Sequence, residues 1–123
     1  MSIVSQYLDQ YSAVVSGPAA PDVVDPILQR YGVNNSIYRE WLISSGGGPI
    51  GPNWYDSPNE LESSQKKRNE GWTVPGFVIG WDGAGNPIAL IEDGAIIVED
   101  HNFGGIHEIA KSFEALLQSG IAP

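Results

Sequence analysis

Two histidines stand close together late in the sequence, each beside a carboxylate, as Asp100-His101 and His107-Glu108. Imidazole titrates near neutral pH and a carboxylate can orient it, so each pair carries the ingredients of an acid–base or metal site. Their spacing matches no fixed constellation, because the turn Gly104-Gly105 separates them and nothing directs one ring at the other. Asp82-Gly83-Ala84-Gly85-Asn86-Pro87 resembles the start of a calcium loop. Ala84 stands where its second ligand belongs, however, and Pro87 where the loop needs glycine. The same glycines miss the spacing of a dinucleotide fingerprint, with no helix after them. Ser44-Ser45 precedes Gly46-Gly47-Gly48 without the Gly-x-Ser-x-Gly elbow of a nucleophilic serine. The chain has no Cys, which removes disulfides and thiolate ligands. We therefore expect no catalytic residue, metal or cofactor.

The remaining constellation is acidic and aromatic: Trp54, Tyr55, Asp56, Trp72, Trp81, Asp82, Glu92, Asp93, Glu99 and Asp100. Taken singly, Trp72 and Trp81 read as core residues and the acids as solvated turn ends. Taken together, they read as a partner-binding surface. Aromatic side chains anchor interfaces, and carboxylates around them steer a basic protein. The charge balance points the same way, with 15 acidic against 6 basic residues and a formal net charge of -9. From Glu70 onward eight acids face Lys111 alone. Nucleic acid is a poor partner for such a chain, since phosphates are bound mainly by Lys and Arg. Lys66, Lys67 and Arg68 read as charges at the negative end of a helix dipole.

The elements that must position these residues follow from periodicity and turn chemistry. Phe77-Val78-Ile79-Gly80-Trp81, Ile88-Ala89-Leu90-Ile91 and Ala95-Ile96-Ile97-Val98 are short β-branched and aromatic runs separated by Gly-rich turns. They predict an antiparallel meander from Phe77 to Val98. Helices are predicted over residues 3 to 15, from Asp25-Pro26 to Tyr31, and over Ile37 to Ile43. Another follows the capping box Ser57-Pro58-Asn59-Glu60. A last helix carries Ile106, Ile109, Ala110, Phe113, Leu116 and Leu117 on its apolar face. Residues 50 to 55 fit either a short edge strand or an ordered loop. Strands and helices in separate blocks imply an α+β fold, a central antiparallel sheet packed with N-terminal helices and a C-terminal helix. We expect one compact domain, comprising an N-terminal helix and linker over residues 1–20 and the main body over 21–123. No basic leader precedes a long apolar core, and no apolar run approaches the roughly 20 residues of a membrane span, so a cytoplasmic protein without membrane contact is expected.

Three separated segments, in order, resemble the SUKH superfamily, also called the Smi/Knr-like domain. The first is Tyr38-Arg39-Glu40-Trp41-Leu42-Ile43-Ser44-Ser45-Gly46-Gly47-Gly48. The second runs from Phe77 through Gly80-Trp81-Asp82-Gly83-Ala84-Gly85-Asn86 to the strand ending Glu99-Asp100-His101. The third is Ile109-Ala110-Lys111-Ser112-Phe113-Glu114-Ala115-Leu116-Leu117. The resemblance covers residues 22 to 118. It departs from the family pattern at Val33-Asn34-Asn35-Ser36, where members usually carry Leu-Pro. It implies a non-enzymatic α+β binding domain. Many bacterial members are immunity proteins that neutralise a nuclease toxin, whereas eukaryotic members act as regulatory scaffolds. The acidic surface favours the first, with a basic cognate toxin as partner, and leaves the oligomeric state open.

Overall fold

The computed structural model describes residues 2–123. In chain order it comprises α1 (Ile3–Tyr11), α2 (Pro21–Arg30), α3 (Ser36–Ser45), β1 (Gly48–Ile50), β2 (Asn53–Tyr55) and α4 (Pro58–Arg68). Then come β3 (Phe77–Trp81), β4 (Pro87–Leu90), β5 (Ile96–Glu99), β6 (Ile106–Ala110) and α5 (Phe113–Gly120). The strands form one sheet in the order β1-β2-β3-β4-β5-β6, every neighbouring pair antiparallel. The fold is α+β, and the predicted meander is its centre, extended by a strand pair on one side and one strand on the other.

Local chemistry explains the helix boundaries. Ser2 and Asn35 accept hydrogen bonds from the amides of Ser5 and Tyr38 at the starts of α1 and α3. Ser57 and Glu60 form the capping box predicted for α4. Gly46 ends α3 at φ 69°, and a Cβ there would stand 1.9 Å from the carbonyl oxygen of Gly17. Only glycine fits that left-handed, close-packed position.

Three boundaries differ from expectation. The first helix stops at Tyr11 rather than residue 15, and α2 starts at Pro21 rather than Asp25, with Pro26 inside it. Pro21 at the first helical position needs no amide donor, so α2 begins one turn earlier than the Asp25-Pro26 signal suggests. The largest correction concerns residues 106 to 112. Ile106–Ala110 is a strand and the last helix begins only at Phe113, with Ser112 accepting from the Ala115 amide as its cap. Gly104 and Gly105, both at positive φ, turn the chain back along β5. Ile106, Ile109 and Ala110 had the spacing of a helix face, but backbone pairing with β5 outweighs that weak local preference. Residues 50 to 55, compatible with strand or loop, become the end of β1, a turn and β2.

The sheet has two unlike faces. The inner face supplies Ile50, Tyr55, Phe77, Ile79, Ile88, Leu90 and Ile96 to the main core, where they meet Val4, Tyr7, Leu28, Trp41, Leu61, Phe113 and Leu117. The N-terminal helix thus contributes Val4 and Tyr7 to the same core as the sheet. The outer face holds a smaller cluster of Val74, Val78, Ala89 and Ile97 with Trp81 and Ile91 against it. A bulge controls which face Trp81 joins. The β3–β4 register shifts between Val78 and Gly80, so Val78 pairs with Ala89 but Gly80 pairs with Ile88 and Trp81 with Pro87. Because side chains alternate with period two, that extra residue keeps Ile79 inward and still turns Trp81 outward. Gly80 then faces the core, where its missing side chain admits Tyr55. A Cβ at Gly80 would lie 2.5 Å from the Trp54 carbonyl oxygen.

Candidate partner-binding face

The strand register assembles an aromatic row on the outer face. Trp54 of β2 lies opposite Trp81 of β3, which lies opposite Pro87 of β4. Trp54 is 44% exposed. Residues 69 to 76, between α4 and β3, fold over this face and add Trp72. Its ring stands edge-on to Trp81 at 6.1 Å and to His101 at 5.8 Å, and the Lys67 ammonium sits 4.6 Å from the Trp81 ring.

Polar bonds hold this covering segment in place. The Thr73 amide donates to Glu99 at 2.8 Å, and its hydroxyl contacts the second Glu99 oxygen at 3.1 Å. Arg68 donates to the carbonyls of Val74 and Gly76. Gln65, buried beside β3 where the short β2 leaves off, donates to Val78 O and accepts from the Val78 amide, tying α4 to β3. Trp81 Nε1 donates to Ser64 Oγ at 2.9 Å, and the Ser64 hydroxyl donates to Asp56. Asp56 is buried, and that burial pushes its pKa up to about 6 against the opposing hydrogen bond from Ser64.

The acids near this row are engaged in shaping turns. Asp82 accepts from the amides of Ala84 and Asn86 and from the Asn86 side chain. Burial raises its pKa, but those bonds outweigh it and hold the carboxyl below its usual range. The carboxylate that suggested a calcium loop therefore closes an Asx turn. Asp100 accepts from the amides of Asn102 and Phe103. His101 is bound by Asn86, both through its amide and through Nδ1, while His107 lies in β6 opposite Val98. The two His–carboxylate pairs are thus not drawn into one acid–base site. Among the described residues no group of three or more His, Asp or Glu side chains is placed to hold a metal ion. Ser45 is buried, donating to Trp41 O and accepting from the Gly47 amide, which leaves it a structural hydroxyl.

The ten residues singled out in the sequence fall into three places. Trp54, Trp72, Trp81, Asp82, Glu99 and Asp100 gather at one end of the outer face. Glu92 and Asp93 lie at the opposite strand ends, in the β4–β5 turn. There they rim a groove of about 740 Å³ with Tyr31, Asn34, Arg68 and Phe77. Tyr55 and Asp56 are interior, which corrects their assignment to a contact surface. Burial follows from the Tyr55–Gly80 pairing, which points the Tyr55 ring into the core, and from the hydrogen bond that draws the Asp56 amide to Ile79 O. Sequence reasoning missed Ser64 and Gln65, and read Asn86 as a turn residue without its burial or its bond to His101, although these buried polar residues fix this face. Their signal is faint, a polar helix face and a turn Asn, types usually found exposed.

Three of the six basic residues, Lys66, Lys67 and Arg68, are consecutive at the end of α4, and most of the cations are engaged within the chain. Arg30 pairs with Glu62 and Arg39 with Asp25, Arg68 binds carbonyls and Lys67 covers Trp81. No helix of the described residues is long and apolar enough to cross a membrane. No family model matches the chain, and no curated protein matches it.

Proposed function

We propose that this chain is a non-enzymatic, cytoplasmic binding protein of the SUKH type, acting as an immunity protein that masks a basic, nuclease-type toxin. One observation carries the reading: from Phe77 to Ala110 the chain bears six carboxylates and not one Lys or Arg, beside an aromatic row that includes the exposed Trp54 and on which, among the described residues, Lys67 is the one base. Such a surface attracts a cationic protein at long range and offers apolar area for its docking. The carboxylates engaged in turns remain charged acceptors, so shaping the loops does not remove their field. The engagement of Arg30 and Arg39 by carboxylates, of Arg68 by carbonyls and of Lys67 by the Trp81 ring argues against a phosphate-binding surface.

The test is retention of a partner from a lysate of the source cells on immobilised protein, followed by nuclease assays. The expected partner is basic, is released by about 0.5 M salt, and loses nuclease activity when one equivalent of this chain is bound. Retention that ignores salt, or a partner without excess positive charge, would overturn the electrostatic reading. A basic partner that stays fully active in the complex would overturn the immunity role in favour of a scaffold.

A further inference from the structure

The two edges of the sheet are finished differently. β1 is three residues long and is closed by the N-terminal region. Tyr7 Oη donates to Pro49 O at 2.6 Å, and the Ser16 amide donates to Gly47 O at 2.9 Å. β6 is five residues long, and among the described residues no strand pairs with its far side. The Asp100 amide donates to Gly105 O at 3.0 Å. In an antiparallel pair the hydrogen-bonded positions alternate, so the backbone of His107 faces β5 while the N–H and C=O groups of Ile106 and Glu108 point outward. Apolar side chains surround these free groups. Ile106 is 45% exposed, Ile109 40%, and Phe103 in the preceding turn 89%.

Open edges are normally blunted by Pro, charged side chains (Lys above all), shortness or a bulge. The charge that β6 carries, Glu108, repels an acidic strand but not a basic one. β6 contains neither Pro nor Lys. Its register with β5 shifts between Ile96 and Ile97, which leaves Ile109 as the bulged residue and Ile106–Glu108 regular. We infer that the β6 edge is a docking site for an extended, basic segment of another protein, which adds as a seventh strand. This rests on the basic-partner reading proposed above and names where that partner docks.

Charge selects the occupant. A second copy pairing antiparallel about Glu108 would set that carboxylate against its own counterpart, between chains of net charge -9 each. An incoming Lys or Arg meets Glu108 on the strand, while Glu99, one strand further in and held by Thr73, adds only its field. Lys111, just beyond the strand, confines the favourable field to the Ile106 end. The outer-face row of Trp54, Trp81 and Pro87 runs toward Glu99 and Ile106, so an added strand extends the same surface.

The probe is a capped octapeptide of alternating Lys and Val, compared with its Glu–Val counterpart and with a Lys–Val version N-methylated at alternate residues. Amide exchange of the full chain is read by NMR. The Lys–Val peptide is expected to slow exchange at Ile106 and Glu108 by about tenfold or more, and the N-methylated and Glu–Val peptides are not. Protection of the same amides without peptide, rising with protein concentration, would overturn the proposal in favour of a second copy. Binding that perturbs Trp54 and Trp81 but leaves the Ile106 and Glu108 amides unprotected would overturn edge docking while sparing the basic-partner reading. Equal protection by both charged peptides would keep the edge as a strand acceptor and overturn its selectivity for basic segments. Failure of all three peptides to bind overturns edge docking and leaves salt-dependent retention from lysate as the separate test of a basic partner.

Discussion

The face of the sheet that packs on the main core and the opposite face are built from neighbouring residues of the same strands, yet different forces hold them. Ile79, Ile88 and Ile96 pack inward against Trp41, Phe113 and Leu117, in a core joined by ring contacts such as Tyr38–Phe113 at 5.2 Å and Tyr7–Trp41 at 5.6 Å. One position over, Val78, Ala89 and Ile97 make a thin apolar layer that α4 and residues 69 to 76 cover by hydrogen bonds from Gln65, Thr73 and Arg68. The inner face is held by close packing of large side chains, which loses stability steeply when one is shortened. The outer face is held by separable polar ties, which lets Trp54, Trp72 and Trp81 stay partly exposed.

Truncation gives the largest contrast. Trp41 is fully buried, and Trp41→Ala is expected to cost about 3–5 kcal/mol in urea unfolding. Trp81→Ala loses a half-buried ring and the bond to Ser64, and should cost about 1–2 kcal/mol. Equal losses would mean that the outer face is a second core and would break the distinction.

Asp56 comes next, because its carboxyl links the two faces through Ser64 and Trp81. Folded, it keeps its proton until about pH 6, whereas the ordinary value is 3.8. Between those values the folded state binds more protons than the unfolded one, so this group's contribution to stability falls as pH rises and reaches its lowest level above about pH 6. Asp56→Asn keeps an acceptor for Ser64 and removes the buried charge. The variant should match the wild type near pH 3.5 and exceed it by up to about 3 kcal/mol at pH 7.5, measured by denaturant unfolding across that range. A constant difference at all pH values would show that Asp56 titrates normally and that the junction between the faces is wetter than its burial implies.

What the sequence makes legible follows the same division. The inner-face strands were readable because apolar runs bounded by Asp-Gly and Gly-Asn turns leave few alternatives, and Ser57 to Glu60 announced α4 through a purely local motif. The outer face was readable in residue types but not in arrangement. Trp81 and Asp82 adjoin Trp54 only through the β2–β3 register, and the bulge that turns Trp81 outward has no marker beyond Gly80. Glu92 and Glu99 are close in sequence, yet a strand separates them, so one predicted acidic patch becomes two strand ends. Ile106 to Ala110 failed for a related reason. An apolar pattern of Ile, Ile and Ala over five residues suits a helix as well as a bulged edge strand, and only the partner strand decides.

The smallest effect separates the two acidic ends. Glu92 is exposed in the β4–β5 turn, whereas both Glu99 oxygens engage Thr73 and hold the covering segment on the outer face. Glu92→Gln should leave stability within about 0.5 kcal/mol of wild type. Glu99→Gln keeps one carbonyl acceptor but loses the charge, and should cost about 1 kcal/mol. Fluorescence sharpens the comparison, because Trp72 stacks edge-on between Trp81 and His101 only while residues 69 to 76 are tied down. Loosening that tie should increase quenching by added acrylamide in Glu99→Gln and leave Glu92→Gln unchanged. Identical quenching in the two variants would mean that Arg68, through Val74 and Gly76, is the tie that matters, and that Glu99 is as free as Glu92 to meet a basic partner.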